Sequence, residues 1–447
     1  MEHNWSGNHR YAGRLIRPAT LGELAELVGA APRVRALGSR HSFTDIGDAG
    51  SMGGSAGAAG STGEPGVLVS LDGLPPVFSI AQTGAATGAE TEEQGSTVTV
   101  GAGMRYGEVS RRLHKQGWAL ANLASLPHIS VAGAVATGTH GSGDTNASLA
   151  TAVAAITLLD ASGRERRLAR GDADFDGSVV GLGALGIVTT LTLDIEPTYE
   201  VRQDVWTDLP GRAVEDHLDE ITGSGYSVSL FTDFSDRTFA QAWVKTREES
   251  APAVFFGARR ATRQLHPDIG AVADGVTQQG GIPGPWLDRL PHFRMEFTPS
   301  HGAELQSEYL VPRPRVLDAL EAMRRLRPVF AGLLRVSELR TVAADGLWLS
   351  PAYETDVVGF HLTWELDEPA VYAVLPAIET ALLPLGARPH WGKCFVATSA
   401  ELEALYPRMA DFRALRGRVD PDGTFGNAFL DRVVGGSDSV AGSVTGR

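Results

Sequence analysis

Cysteine and lysine are nearly absent from this chain. Its 447 residues include one cysteine, Cys394, which excludes a disulfide framework and any cysteine-built zinc site. Only three lysines, Lys115, Lys245 and Lys393, stand among 39 basic residues. The rest are arginines, a bias that reads as genomic base composition rather than function. Positive charge is also short overall, with 39 Lys and Arg against 53 Asp and Glu and a net of −14. That balance argues against nucleic acid or an anionic membrane as partner and makes a neutral substrate the first expectation. No apolar run approaches the ~18 residues that span a bilayer. The first residues show neither the basic n-region nor the apolar h-region of a signal peptide. His266, His292, His301 and His390 have no metal-ligand spacing, so no metal site is expected. The expectation is a soluble, cytoplasmic protein, with nothing in the sequence that demands more than a monomer.

What is abundant is glycine, 53 residues with 24 prolines, but without the fixed period of collagen or a repeat array. At roughly 100–200 residues per domain the length predicts two or three domains. Thr20 and Glu23 form a capping box that opens a helix with Leu21, Leu24, Leu27 and Val28 on its apolar side. A short strand, Arg33 to Leu37, follows. Residues 47–66 and 83–95 have almost no large side chains and are expected to be mobile surface insertions between strands at 67–71, 77–81 and 97–100. A helix at 104–116 precedes a stretch, 121–143, that fits no regular period. Strands are predicted at 152–160, at 164–169 and from Ile187 to Ile195, the last alternating cleanly. Beyond Pro197 the strands lengthen (226–234, 238–245, 335–342, 357–364). An aromatic-rich connection near 285–297, with Trp286, Phe293 and Phe297, reads as domain packing. A helix is predicted at 315–327, with Val316, Leu320 and Met323 on one face, and another at 400–416. The Gly/Ser tail from 435 is expected to be disordered. Without regular βαβ alternation, the fold class is α+β.

Two glycine patterns mislead. Gly181-Leu182-Gly183-Ala184-Leu185-Gly186 has the spacing of a dinucleotide-binding turn, but its strand comes after it rather than before. Gly101 to Gly107 follows a strand yet places Tyr106 where a third glycine belongs. Both read as packing turns, which leaves a nicotinamide dehydrogenase weakly supported. The loops at 38–43 and 121–143 are more informative. Glycine, serine and threonine there let backbone N–H groups converge on an anion, and Ser39, Ser42, Ser125, Ser130, Thr137 and Ser142 add hydroxyl donors.

The segments Gly38-Ser39-Arg40-His41-Ser42-Phe43 and ASLPHISVAGAVATGTHGSG at 124–143 resemble FAD-dependent oxidoreductases of the vanillyl-alcohol-oxidase family, more narrowly the alditol oxidases. The resemblance runs nearly end to end. It includes Asn4-Trp5, His390-Trp391-Gly392-Lys393 and Asn427-Ala428-Phe429, and skips the two insertions and the tail. It implies a two-domain FAD-linked oxidase fold. Residues 1–198 would bind FAD, 199–395 would bind substrate through an antiparallel sheet, and 396–434 would return to the FAD domain. It also implies covalent FAD, joined from the His41 imidazole to the flavin 8α-methyl, since His41 matches the linking position. Arg40 departs from the family, where many relatives carry glycine. No cysteine stands in the second loop, so a second flavin bond is not expected. Gly38, Ser39, Arg40, Ser42, Phe43, Ser125, Ser130, Gly133, Thr137, Gly138, Gly141 and Ser142 are the further candidate cofactor contacts. His128 and His140 also lie in the second loop, where flavin contact and loop packing are both open.

A period of two puts Glu338 and Arg340 on one strand face, and His361 and Thr363 on another. By periodicity alone these read as solvated faces with a cross-strand ion pair. The resemblance instead assigns Glu338, Arg340, His361, Thr363, Lys393 and Ser125 to a polyol pocket. The implied reaction moves hydride from the terminal C1 of xylitol or sorbitol to flavin N5, with O2 reduced to H2O2. Arg340 and Lys393 would hold the developing alkoxide, His361 would accept the proton, and Glu338 would orient Arg340 or bind a hydroxyl. The readings left beside it are a gulonolactone-type lactone oxidase or dehydrogenase and a flavin- or sugar-binding protein without turnover.

Overall fold

In the computed structural model the described residues are 2–50, 66–82, 95–235, 238–247, 254–297 and 303–435. The low-complexity stretches and the tail lie outside them, apart from a few end residues. Those ends correct the expected start of the first insertion. Asp45–Gly47 forms a single 3-10 turn, and Ile46, Asp48 and Ala49 are buried. Asp48 accepts hydrogen bonds from the backbone of Ala12 and Gly50 at 3.2 and 3.1 Å. The Gly66 N–H donates to the Gly50 carbonyl at 2.9 Å. Packed structure therefore continues to residue 50.

The architecture is α+β, built on three sheets. Strands β1 (Arg14–Ile16), β2 (Val34–Ala36) and β3 (Val67–Val69) form a small parallel sheet in the order β1-β3-β2. The helix Leu21–Ala30 packs on it through Leu24 and Val28, and begins where the Thr20 hydroxyl accepts the Glu23 N–H at 3.1 Å. Leu21 is not on the buried face; it is 48% exposed. Strands β4 (Phe78–Gln82), β5 (Ser96–Gly101), β6 (Trp118–Ala119), β7 (Val153–Leu159), β8 (Glu165–Ala169) and β9 (Ile187–Pro197) form the second sheet, all pairs antiparallel. In β9 the alternating residues Ile187, Thr189, Leu191, Leu193 and Ile195 are the buried ones, as their period predicts.

The third sheet contains β10 (Glu200–Pro210), β11 (Ser227–Thr232), β12 (Thr238–Thr246), β13 (Arg259–Arg260), β14 (Gly284–Pro285), β15 (Leu305–Pro312), β16 (Leu334–Val342), β17 (Val357–Trp364) and β18 (Arg388–Pro389). The main path runs β13-β10-β12-β11-β16-β17-β15-β18. One face is covered by the helices Val316–Phe330 and Glu368–Leu382, with Val316, Leu320 and Met323 buried. Tyr309 of β15 points to that layer and donates to Glu379 at 2.9 Å. Alternation then sends Gln306 and Glu308 to the opposite face.

Sequence pattern passed over β10, β15 and the helices Gly211–Thr222 and Glu368–Leu382. Strand β15 is buried nearly throughout, so no polar face announces it. The single helix expected at 400–416 is two, Ser399–Leu402 and Met409–Val419. Pro407 lies between them and has no N–H to continue the first. Among the described residues no helix is long and apolar enough to cross a membrane.

The chain's end returns to its beginning. Arg35, fully buried, donates to the carbonyls of Leu182, Gly183, Phe425 and Ile46. Asn427 caps the helix Ala428–Val433, and its Nδ2 donates to the carbonyls of Asp45, Ile46 and Asp48 at 3.2, 3.0 and 2.9 Å. Asn427→Ala removes the cap and leaves the Asp48 carbonyl without its donor, while Ile46 and Asp45 keep Arg35 and the Asp48 N–H, so it should cost about 2–4 kcal/mol. Urea or thermal unfolding checks this, and an unchanged midpoint would refute the tie.

Candidate active site

A cavity of about 520 Å³ opens between the loops of the first two sheets and the uncovered face of the third. Its first wall contains the loop 38–43, part of 124–137, and both glycine turns read as packing turns. Ala102, Gly103, Leu182, Gly183 and Gly186 line it. The 181–186 turn still serves packing, since its carbonyls receive the Arg35 guanidinium.

Ser130 fastens the two loops together. It precedes the helix Val131–Ala136, its N–H donates to Ser39 Oγ at 2.9 Å, and its Oγ accepts from the Ser39 N–H at 3.4 Å. A Cβ on Gly38 would collide with Ser130 Oγ. The family departure at Arg40 has a backbone reason: φ is +64°, a left-handed conformation that glycine adopts at least cost. Its guanidinium turns to Glu2, with Nη1 to Oε2 at 2.8 Å, so the extra charge is paired. His41 lies in the cavity wall, stacked on Trp5 with centroids 5.6 Å apart and planes at 20°. Burial pushes its pKa down to about 4, keeping the ring neutral, and Nδ1 is buried with no partner.

Of the expected cofactor contacts, Gly38, Ser39, Arg40, His41, Ser42, Phe43, Ser125, Ser130, Gly133, Thr137 and His140 line the cavity. Four others are not in its lining among the described residues. His128 Nε2 bonds the Met295 carbonyl at 2.9 Å, and Ser142 Oγ meets Ser227 Oγ at 2.5 Å. Gly138 packs against Pro351, and Gly141 against Asn122 and Leu123. In the aromatic connection, Trp286 is buried in the core, Phe293 joins the cavity wall, and Phe297 is 43% exposed.

The second wall is the sheet face bearing the predicted polar residues, and it is buried rather than solvated. Glu308 of β15 pairs with His361 of β17, and His361 pairs with Glu338 of β16. Arg340 stands opposite Gly359. Sequence reasoning missed Glu308, yet it is the hub. Its Oε1 accepts from Arg340 Nη2 at 3.0 Å and its Oε2 from Lys393 Nζ at 2.7 Å. His140 Nε2 is 3.4 Å from Oε1. The Glu308–Arg340 pair reaches across β17 directly over Gly359, where a Cβ would lie 2.8 Å from Glu308 Oε1. Gln306 and Glu308 stand two apart, but Ser307 between them hides the alternation that would have announced them.

Around the hub, Arg340 Nη1 donates to Ser125 Oγ at 3.1 Å, and its Nε is 3.6 Å from Glu338 Oε1. Lys393 Nζ is 2.6 Å from His361 Nδ1, while His361 Nε2 is 3.1 Å from Thr363 Oγ1. Both ring nitrogens of His361 are thus engaged within the protein. Burial alone would raise the Glu308 pKa, but Lys393, His140 and Arg340 hold it well below the carboxylate range. Burial likewise opposes ionisation of Glu338, and Arg340 and His292 overcome it. His361 is pushed down to about 4 by burial and by Lys393. Burial also lowers Lys393, against the pull of Glu308. Two carboxylates, a guanidinium and an ammonium make a wall with no net charge when all are ionised.

Comparison with known proteins agrees with this layout. Residues 12–169 match a family model described as FAD binding domain, and 303–433 match one described as D-arabinono-1,4-lactone oxidase. An alditol oxidase of Streptomyces sp. is 48% identical over 435 residues, spanning 97% of this chain and 99% of the relative. The chain belongs to the alditol oxidase family. Its FAD binding domain makes it an FAD-dependent oxidoreductase. An L-gulono-1,4-lactone dehydrogenase of Mycobacterium tuberculosis stands further off at 27% identity, covering 97% of this chain and 98% of the relative. Among solved structures, cholesterol oxidase from Brevibacterium sterolicum shares the fold, with a TM-score of 0.75 at 16% identity over 97% of this chain and 96% of that one. The cavity fits a flavin, with a close-packed glycine loop along it and, in its wall, the His41 ring, whose Nδ1 is buried without a partner.

Two predictions follow from the wall. Gly359→Ala would push a methyl into the Glu308 carboxylate and should cost about 1–3 kcal/mol, with a matching loss of turnover; wild-type stability in that variant would refute the crossing. His41, His292 and His361 are each lowered to about 4. Between pH 6.5 and 4 the unfolded chain binds protons that the folded chain refuses, so stability falls as pH drops through that window. The depressed Glu308 and Glu338 carboxylates add to the loss below pH 4.5. A melting temperature independent of pH from 6.5 to 4.5 would contradict this.

Proposed function

We propose that this protein oxidises the terminal C1 hydroxyl of alditols such as xylitol and sorbitol to the aldose. FAD is held covalently by His41 and O2 is reduced to H2O2. It does so as a cytoplasmic monomer, with residues 1–198 and 396–434 serving the cofactor and 199–395 the substrate. The observation that carries this reading is the buried, net-neutral wall of alternating donors and acceptors. A polyol gives up a hydrogen bond to water at each hydroxyl and needs a partner for each. Glu308, Glu338, Arg340, His361 and Thr363 offer them from the sheet face, and Ser125 from the facing loop.

Bound FAD supplies the hydride acceptor and the route for electrons to O2. The Gly38–Phe43 loop and Ser130 hold it, and His41 Nδ1, neutral and unpartnered, is the nitrogen available for the bond to the 8α-methyl. Arg340 and Lys393 orient the C1 hydroxyl and stabilise the oxygen as negative charge develops. His361 accepts the hydroxyl proton at Nε2 once the substrate hydroxyl displaces Thr363. That requires the tautomer with its proton on Nδ1, which then faces Lys393. Lys393 then directs its ammonium to Glu308, its partner at 2.7 Å, and keeps its charge for the developing alkoxide.

A lactone substrate is the second reading, favoured by the match of residues 303–433 to the D-arabinono-1,4-lactone oxidase model. Anaerobic mixing with xylitol should bleach the flavin far faster than mixing with L-gulono-1,4-lactone, and the reverse order would exchange the two readings. After acid precipitation the yellow colour should stay with the polypeptide and be lost from His41→Ala. Lys393→Met should slow flavin reduction by about 10²–10⁴-fold; a rate within threefold of wild type would remove Lys393 from the proposed chemistry.

A further inference from the structure

Behind the polar wall lies a second buried cation that the reaction above does not use. Lys245 of β12 is 1% exposed, and no carboxylate lies among its hydrogen-bond partners. Its Nζ donates to the carbonyls of Leu290 and Pro291 and stands 3.0 Å from His292 Nδ1. On the other side of the ring, His292 Nε2 lies 2.8 Å from Glu338 Oε1 and 3.4 Å from Ser229 Oγ. The ammonium can only donate, so Nδ1 accepts and the ring proton sits on Nε2, where the carboxylate receives it. The backbone holds the ring in place, since the N–H groups of His292 and Phe293 both donate to the Ser125 carbonyl, at 3.1 and 3.3 Å. Ser125 Oγ in turn meets Arg340. His292, Glu338, Arg340 and Ser125 therefore form one closed circuit, and Lys245 joins it at His292.

We propose that Lys245 is a positioning residue of the active site, keeping His292 neutral with its Nε2–H committed to Glu338, so that the Glu338 negative charge stays available to Arg340 and to a substrate hydroxyl. Without Lys245, Nδ1 is free to take a proton, and an imidazolium beside Glu338 competes with Arg340 for the carboxylate. The charged groups facing His292 are Lys245 from β12 and Glu338 and Arg340 from β16; its other neighbours, Ser229, Phe231 and Trp243, carry no charge. In agreement, burial and the neighbouring Lys245 charge lower the His292 pKa to about 4, and burial lowers that of Lys245 to about 7. Between about pH 7 and 4 the pair carries one proton, and Lys245 has it.

The test uses the holoenzyme with ring-15N-labelled histidine, and His292→Gln assigns the signal among 12 histidines. In the wild type, His292 should stay a neutral Nε2–H tautomer from pH 8 to 5. In Lys245→Met it should titrate within that range, a shift of about one pH unit or more. A His292 that stays neutral in both proteins overturns the proposal. Flavin reduction by xylitol connects the effect to the site, and here the proposal rests on the alditol reading. Lys245→Met should lose rate progressively below pH 7, as a kcat rather than a KM effect. His292→Gln, whose amide keeps an acceptor toward Lys245 and a donor toward Glu338, should retain more than a third of the wild-type rate, while His292→Leu falls at least tenfold. Equal losses in His292→Gln and His292→Leu refute the proposal even if Lys245→Met does not fold. A wild-type flavin that xylitol leaves unreduced sinks the alditol reading, and the 15N titration still decides the role of Lys245.

Discussion

The ion pair between Glu308 and Arg340, thrown across a glycine of the strand between them, is the constraint on which the site depends. A carboxylate this buried is tolerable only with several donors around it. They come from two directions: Arg340 from across the intervening strand and Lys393 from the turn beyond β18. Removing either would leave the Glu308 charge buried with one donor in place of two, which costs far more than the pair itself contributes. The polar wall is thus held as a unit, and its side chains are ordered before a ligand arrives.

That wall is tied to the cofactor side at few points. The Ser125 hydroxyl meets Arg340 while its carbonyl receives the backbone of His292 and Phe293, so one residue belongs to both surfaces. Phe43 N–H donates to the Gly392 carbonyl at 2.8 Å, one residue from Lys393. The loop that carries His41 and the turn that carries Lys393 are therefore in register. Distance between the imidazole and the polar wall is set by backbone hydrogen bonds rather than by flexible side chains.

Much of this was legible in the sequence, for reasons particular to each residue. The alternation of β9, the Thr20 N-cap and the helix from Val316 appear where expected, although Glu23 reaches back to the Ala19 N–H rather than to Thr20, so the capping box is only half formed. Glu338, Arg340, His361 and Thr363 announced a polar strand face by spacing alone, but spacing could not distinguish solvent from a buried cavity. Burial depends on what stands opposite, and that is the loop wall contributed by residues more than a hundred positions away. Glu308 escaped because its strand is buried on both faces and shows no alternation of polarity. Lys245 and His292 escaped for a different reason, since their meeting depends on an irregular connection whose path no local pattern specifies. Arg40 shows the converse: a departure from a motif looked like a change in charge, and the structure resolves it into a backbone conformation and a pairing with Glu2.

The return of the chain's end to its start has a temporal consequence. Asn427 grips the carbonyl of Asp45 across 382 residues of sequence, and Phe425 receives Arg35 across 390. On a ribosome adding ~5–20 residues per second, the N-terminal loop waits roughly 20–80 s for these partners to be made. During that interval the Arg35 guanidinium lacks an acceptor that the finished fold gives it, and the segment after β2 lacks its clamp. The small parallel sheet can pair early, but the His41 loop reaches its final shape only when the last helix emerges. Flavin binding at that loop would then follow the synthesis of residues 425–433 rather than that of the loop itself.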